Sequence, residues 1–429
     1  MKKEIENILK EALLEAKPSE EEIKKIDSYL KEFLAKLRKK LSLLRINAEV
    51  FVGGSFAKKT LIKKDKYDVD IFLRFDKKYI KEDISGLTLK VLNSLKLENQ
   101  INRVHGSRDY FQINIEPWLY FEIVPVMKVT NPKDAENITD LSYYHVKYMN
   151  KKTSGKLCDS IILAKSFCHA NNVYGAESHI KGFSGYSLEL LIYYYKNFLK
   201  FVSEIAKSKE DKIIIDIEKY YPSKNRIMID MNSSKLESPI ILVDPTYKQR
   251  NALATLSNEV FAKFKETCIK FVKNPDISYF KTKETDLIEV EKSAKKKGYD
   301  FLLVKASTDK QEGSVAGSKL LKFYNHLSSQ INKYFDIKDK GFFYKDKKDA
   351  DYFFIVKRRD IEVINGPSES KKEEAIKFRK KHKNAFVKSR RLYAKNKINF
   401  NLKDFMTNWR KKNSKIIEDM YITNLQTSS

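Results

Sequence analysis

Two aspartates one residue apart, Asp68 and Asp70 in the run Tyr67-Asp68-Val69-Asp70-Ile71-Phe72-Leu73, constrain this chain more than any other feature. A strand alternates its side chains, so both carboxylates face one way while Val69 points into a core. Like charges forced together beside apolar neighbours are costly unless a cation sits between them. The pattern points to a divalent metal held by oxygen ligands, with octahedral Mg²⁺ the economical choice. Upstream, residues 49–52 are β-prone, and Gly53-Gly54 ends that run with residues tolerant of positive φ. Ser55 follows where a turn or helix begins, so its hydroxyl and nearby backbone N–H groups can face an anion. Residues 49–74 therefore read as strand, glycine turn, basic spacer and acidic strand.

The remaining chain must supply what such a strand faces. At 429 residues it is long enough for two to four domains, and 42% hydrophobic with 12% aromatic residues marks it as globular. Its net charge of +27 calls for a polyanionic partner, since each neutralised phosphate releases counterions. Cys158, Cys168 and Cys268 form neither a CxxC pair nor a Cys/His cluster, which argues against zinc and a disulfide framework and for a reducing compartment. Glu4 and Glu6 interrupt the basic N-terminus and no apolar run follows, so no secretory signal is expected. Nor does any stretch approach the roughly 18–20 apolar residues of a membrane span. The expectation is a cytoplasmic protein with no membrane partner.

Along the chain, Ser19 with Glu22 makes a capping box that opens a helix to about residue 40, with Ile26, Leu30, Phe33 and Leu37 at core-facing spacing. Residues 84–95 read as a helix, and 109–115 and 119–126 as strands. From residue 141 to about 205 the period turns helical and aromatic. Residues 301–305, about 318–334, 340–344 and 352–357 follow a β–α–β–β pattern, with 307–317 the expected flexible loop. Gly366-Pro367 punctuates before a basic helix over 371–383. Between residues 357 and 412, 19 Lys and Arg stand against 6 Asp and Glu, interleaved with Tyr393, Phe400, Phe405 and Trp409. Charge concentrated with aromatics fits RNA better than general solubility.

The combination of Gly-Gly-Ser, spacer and Asp-x-Asp resembles the signature of the DNA polymerase beta-like nucleotidyltransferase superfamily. A closer resemblance runs on through Tyr144-His145-Val146-Lys147-Tyr148, Asn172-Val173-Tyr174-Gly175-Ala176-Glu177 and Gly182-Phe183-Ser184-Gly185-Tyr186. It continues in Asp244-Pro245, Arg250-Asn251 and Asn274-Pro275. Together these are similar to the archaeal, class I CCA-adding tRNA nucleotidyltransferases, over essentially the whole chain and most specifically over residues 53–251.

The resemblance implies an α+β protein. Residues 1–140 would form a nucleotidyltransferase catalytic head with a mixed sheet, and 141–265 a helical, nucleotide-binding neck. Residues 266–365 would form a small α/β body and 366–429 a basic, tRNA-binding tail. It implies template-independent addition of CCA to tRNA from CTP and ATP, with two Mg²⁺ ions on Asp68, Asp70 and Glu122 as catalytic ligands. Glu116 is the rival third carboxylate, but Pro117 behind it marks a strand end. Gly54, Ser55, Lys58, His145, Lys165 and Tyr174 fall at nucleotide-binding positions, and Arg250 at the position that reads the base. The acceptor stem and elbow of tRNA are the expected RNA contacts, and the resemblance allows a homodimer.

Each of these side chains also has an ordinary structural use: His145 as a core histidine, Lys165 on a solvated helix face, Tyr174 as a buried anchor, Arg250 in a surface salt bridge. Residues 182–186 read as a tight turn capping the helix that carries Glu189. Two positions depart from the family. Glu122 stands where an aspartate is usual, and Lys58 where an arginine is usual, which removes bidentate phosphate binding. A related terminal transferase adding CC or poly(A), or an RNA-binding protein without catalysis, are the other readings. The charge distribution predicts that affinity for tRNA falls steeply between low and moderate salt. A Kd that does not move with salt, measured by filter binding, would remove the basic C-terminal region as the grip.

Overall fold

The computed structural model describes residues 2–97, 101–106, 108–282, 285–345 and 347–428. The chain divides into two compact units, 1–283 and 284–429. In the first, α1 (Lys2–Ala16) precedes α2 (Glu20–Leu43). The expected capping box starts α2: Ser19 Oγ accepts from Glu22 N, and the Glu22 side chain accepts from Ser19 N. Next come β1 (Ala48–Val52), the one-turn α3 (Gly54–Ala57) and β2 (Tyr67–Phe75). With α4 (Ile84–Asn93), β3 (Ile101–Val104), β4 (Tyr110–Glu116) and β5 (Leu119–Met127) they form a head around a five-stranded sheet of order β1-β2-β5-β4-β3. β2 and β5 run parallel and the other pairs antiparallel, so the sheet is mixed.

The periodic residues of α2, Ile26, Leu30, Phe33 and Leu37, share one core with Val69, Ile71, Phe121 and Ile123 of the central strands. That burial fixes which face of β2 looks inward, and therefore which face carries the aspartates.

The neck follows as α5 (Ser142–Lys152), α6 (Lys156–Ala170), α7 (Gly185–Tyr195) and α8 (Phe198–Lys207). Then come β6 (Ile213–Asp216), α9 (Lys224–Asp230), β7 (Ile240–Asp244), β8 (Tyr247–Asn251) and α10 (Asn258–Lys273). The aromatic stretch to about residue 205 is helical as read, but the neck expected over 141–265 is not helical throughout, because β6, β7 and β8 beyond it make a small sheet. Its central strand Ile240-Ile241-Leu242-Val243 is fully buried, and an unbroken apolar run of that length suits a strand covered on both faces. Two expected boundaries move. α1 packs Ile8, Leu9, Ala12 and Leu13 into the neck core rather than the head's, and residue 265 falls inside α10. At the centre Phe167 touches the rings of Phe198, Phe271 and Phe280 at 5.4, 5.4 and 5.5 Å.

The second unit holds α11 (Leu287–Lys296), β9 (Asp300–Ser307), α12 (Ser314–Ile331), β10 (Phe335–Tyr344) and β11 (Asp349–Arg358). After them come β12 (Ile361–Ser368), α13 (Lys372–Lys381), β13 (Ala385–Lys388), β14 (Arg391–Lys397), α14 (Leu402–Lys412), α15 (Ser414–Asp419) and β15 (Asn424–Ser428). Two antiparallel sheets, β10-β11-β9-β15 and β12-β14-β13, carry it. The expected β–α–β–β pattern is present, but the loop after β9 is shorter than 307–317 because α12 already begins at Ser314, behind Gly313 at φ 80°. Gly366-Pro367 sits at a register irregularity inside β12 and not between domains. A body ending at residue 365 and a separate tail would divide one core: Leu402, Phe405, Met406 and Trp409 of α14 pack with Leu320, Phe323 and Tyr352, and β15 pairs with β9.

Phe167 is fully buried among aromatic rings that leave it little room to be replaced. Phe167→Ala is expected to cost about 3–5 kcal/mol of unfolding free energy in urea titration. A cost below about 1 kcal/mol would mean that these rings do not form one packed core.

Candidate active site

The glycine turn and the acidic strand meet at one point. Gly54 has φ +64°, and a Cβ there would lie 1.7 Å from Asp70 Oδ2. Only glycine satisfies both the backbone angle and the close approach. The turn is pinned to the strand by Gly53 N donating to Asp70 O at 2.9 Å. Ser55 stands in the single turn of α3 beside it.

β2 pairs with β5 so that Asp70 lies directly across from Glu122 and Asp68 from Tyr120. On the other side β4 places Gln112 against Glu122, and Gln112 Nε2 donates to Glu122 Oε1 at 2.9 Å. Burial, with the charge of Asp68 added, pushes the Asp70 carboxyl up to about 6. Burial and the charge of Asp70 push Glu122 up to about 7. Burial also raises the neighbouring Tyr110 hydroxyl to about 12. Asp68 is partnered differently, its Oδ1 accepting from Lys64 Nζ at 2.8 Å. Among the described residues no three His, Cys, Asp or Glu side chains are gathered as a ready metal shell. Asp70 and Glu122 have the chemistry of oxygen ligands for a hard divalent ion, and Asp68 would join them by exchanging Lys64 for that ion. Glu116 is elsewhere, accepting from Tyr29 Oη at 2.7 Å.

Behind the turn, a buried carboxylate of α7 gathers the basic residues. Glu189 Oε2 accepts from Lys58 Nζ at 2.6 Å, and Oε1 accepts from Lys165 Nζ at 2.8 Å and Thr60 Oγ1 at 3.0 Å. Burial would raise Glu189, but Lys165 and Lys58 outweigh it and hold the carboxyl well below the usual range. Burial draws the Lys165 ammonium below the usual lysine range, against the attraction of Glu189. Gly185, one turn before Glu189 on α7, leaves room for two neighbours: a Cβ there would meet Tyr174 Oη at 3.0 Å and Lys165 Nζ at 3.7 Å.

A second buried carboxylate, Asp244 at the end of β7, gathers the rest. Its Oδ1 accepts from Tyr186 Oη at 3.0 Å and Thr246 Oγ1 at 2.7 Å, and its Oδ2 from Arg250 Nη1 at 2.5 Å. His145 Nε2 lies 3.2 Å from Oδ2, an ion-pair distance without hydrogen-bond alignment, and its ring stacks on Tyr186 with centroids 4.0 Å apart. Burial pushes the His145 imidazole down. Lys58 and Arg250 both stand 5.9 Å from the centre of the Tyr186 ring, which joins this cluster to the previous one.

The expected residues thus fall into three adjoining groups within the first unit: Gly54, Ser55, Asp68, Asp70 and Glu122; Lys58, Lys165 and Tyr174; His145 and Arg250. Lys165 is not on a solvated face, and Arg250 is not in a surface salt bridge. Sequence reasoning did not give Glu189, Thr60, Tyr186 or Asp244 their places as partners of these side chains. A signal was available: a lone carboxylate inside Leu188-Glu189-Leu190-Leu191, and another ending Ile241-Leu242-Val243-Asp244, must meet a cation when buried.

A mixed sheet with a glycine turn pressed against an acidic strand, backed by a helical neck, defines a nucleotidyltransferase. A solved structure of Cid1, whose description names its RNA terminal uridylyl transferase activity, shares this fold at TM-score 0.51 and 13% identity, over 66% of this chain and 99% of that one. Residues 159–281 match the family model for the tRNA nucleotidyltransferase second domain. The CCA-adding enzyme of Methanocaldococcus jannaschii is 29% identical over 91% of this chain and 87% of its own length. That of Saccharolobus solfataricus is 30% identical over 76% and 72%. That of Nanoarchaeum equitans is 42% identical over 50% of this chain, which spans about half (53%) of that relative. The chain belongs to the CCA-adding enzyme family.

The paired carboxylates generate a stability test in metal-free buffer. Both have folded pKa values above their unfolded ones, so the stability they contribute is complete only below the ordinary aspartate value of 3.8 and is lost as pH rises through about 6 to 7. Asp70→Asn is therefore expected to be more stable than the parent at pH 8 in EDTA, by roughly 1–3 kcal/mol, with the gap closing toward pH 4. Adding Mg²⁺ should raise the parent's unfolding midpoint and leave the variant's nearly unmoved. A parent that is the more stable at pH 8 in EDTA would show that no repulsion is stored there.

Proposed function

We propose that this chain adds CCA to the 3′ end of tRNA from CTP and ATP, without a nucleic-acid template, releasing pyrophosphate. The carrying observation is the Asp70–Glu122 register beside the Gly54 turn, in a chain of the CCA-adding family. Asp68, Asp70 and Glu122 are the residues proposed to hold two Mg²⁺ ions. Such ions lower the pKa of an attacking hydroxyl and neutralise charge on the triphosphate and the departing pyrophosphate.

The chain's own residues supply position. Gly54 lets the backbone come within reach of the carboxylates, and Ser55 offers its hydroxyl and N–H to the outer phosphates. His145, Lys165, Tyr174 and Lys58 line the nucleotide side, and Arg250, aimed by Asp244, faces the base with fixed donors. Lys58 brings a point charge where a bidentate arginine is usual. Glu122 is longer than the usual aspartate by one methylene, and Gln112 fixes its extra reach.

The basic run of residues 357–412 suits the phosphate backbone of an acceptor stem and elbow, since A-form RNA hides its base edges in a deep groove. No helix is long and apolar enough to cross a membrane among the described residues. We place the activity in the cytoplasm, where tRNA and nucleotides meet.

The test is incubation with Mg²⁺, CTP, ATP and a tRNA transcript lacking its last three nucleotides, followed by sequencing of the 3′ ends. Ends that stop at CCA are expected. Ends at CC, or long A runs, would make this a related terminal transferase on the same fold. Asp68→Ala or Asp70→Ala should reduce addition at least a thousandfold, on the order expected for loss of a metal ligand, with tRNA affinity little changed. Addition that survives these substitutions would remove both aspartates from the chemistry.

A further inference from the structure

We propose that Lys64 is a built-in stand-in for the first divalent ion. It holds Asp68 in the metal-free protein and is displaced to water when the ion binds. The inference rests on the reading that Asp68, Asp70 and Glu122 hold metal. It makes Lys64 a positioning residue that sets how much free ion the site requires.

Lys64 Nζ donates to Asp68 Oδ1 at 2.8 Å across the bend at residues 65 and 66. The backbone is fixed on both sides of that bend, by Lys63 N donating to Ala16 O and Tyr67 N donating to Trp118 O, each at 2.7 Å. The side chain can therefore leave while the backbone stays. The charge of Lys64 also favours the ionised forms of Asp70 and Glu122, so one ammonium serves all three carboxylates. A bound dication does the same work with twice the charge. The Lys64 and Asp68 side chains are 36% and 25% exposed, which opens the pair to water. A hydrated ion can reach it there, and an ion pair in contact with water gives way at little cost. Lys66, two residues on, is engaged elsewhere: its Nζ donates to Asn114 Oδ1 at 3.0 Å and stands 5.0 Å from the centre of the Tyr120 ring.

Charge balance gives the direction of the exchange. Asp70 faces Asp68, Lys58 and Lys64, and Glu122 faces Asp70, Asp68 and Lys64. Lys58 in turn shares Glu189 with Lys165. At pH 8, Asp68, Asp70, Glu122 and Glu189 bring four negative charges, and Lys58, Lys64 and Lys165 bring three positive ones. His169 of α6 also feels Lys64, but burial pushes its imidazole down and it adds no charge. Among the described residues Glu177, Lys63 and Lys66 form no ion pair with this set, and, being exposed, they are screened by water. With Lys64 in place one negative charge is left over. A dication joining beside Lys64 would leave one positive charge in excess, whereas a dication in exchange for Lys64 balances the set. A second ion is matched by the triphosphate's own charge.

The sign of one substitution separates this from an ordinary surface ion pair. The full chain is titrated with Mg²⁺ at pH 8 without nucleotide or RNA, and its thermal unfolding midpoint is followed. Lys64→Met is expected to reach half of the Mg²⁺-induced rise at about three- to tenfold lower free ion than the parent. Lys64→Arg keeps a cation within reach of Asp68 and should need at least as much ion as the parent. Lys66→Met removes an equal charge two residues away and should change the requirement by less than about twofold. An unchanged or higher requirement in Lys64→Met overturns the exchange, as does a gain of the same size in Lys64→Arg or Lys66→Met. A parent whose midpoint does not respond to Mg²⁺ overturns the reading of these carboxylates as a metal site, and the exchange with it.

Discussion

Two carboxylates held side by side in an apolar sheet repel each other and resist desolvation together. Here the pairing of β2 with β5 leaves them no way apart, since Asp70 faces Glu122 in a register fixed by every neighbouring pair of the two strands. A slip of one residue would turn Val69 and Ile71 out of the core and the aspartates into it, so the hydrophobic core of the head and its acidic face are set by the same constraint. The glycine turn obeys it too. Gly54 must lack a side chain because Asp70 occupies the space one would need.

The neck solves a complementary problem, that of cations needed in a place with little water. Lys58, Lys165 and Arg250 are each aimed by a buried acid of the neck, Glu189 on α7 or Asp244 at the end of β7. An exposed lysine would roam through many rotamers, whereas one bonded to a buried carboxylate has a single direction. The arrangement also fastens the head's turn to the neck's helices within the first unit. Lys58 and Thr60 follow the glycine turn, while Glu189 and Lys165 belong to the helical neck. Position in this site therefore depends on charge pairing as much as on backbone geometry.

Much of this was legible in the chain. The alternation of Asp68 and Asp70 gave their common face, Ser19 and Glu22 gave a helix start that is present in detail, and residues 182–186 gave the turn that opens α7. The misplaced boundaries have a common physical cause. The expected breaks at 265 and 365 cut through α10 and β12, and residues from both sides of residue 365 enter one core through α14 and the pairing of β15 with β9. Local composition records where a chain turns, but it does not record which distant strand completes a sheet. For the same reason Gly366-Pro367 looked like punctuation between domains and is an irregularity within a strand.

By itself the sequence determined the local chemistry: a glycine turn before an acidic strand, an aromatic helical neck, and a basic C-terminal run. These follow from spacing and period within short windows, which secondary structure reads directly. Glu122, preferred to Glu116 on the sequence, does stand beside Asp70, whereas only the tertiary structure decided that Lys64 holds Asp68 and that Lys58 and Lys165 converge on Glu189. Each of these meetings, except the contact of Lys64 with Asp68 four residues along the chain, joins separate elements. Strand register and the burial of charge settle them, and neither is written in any single stretch of residues.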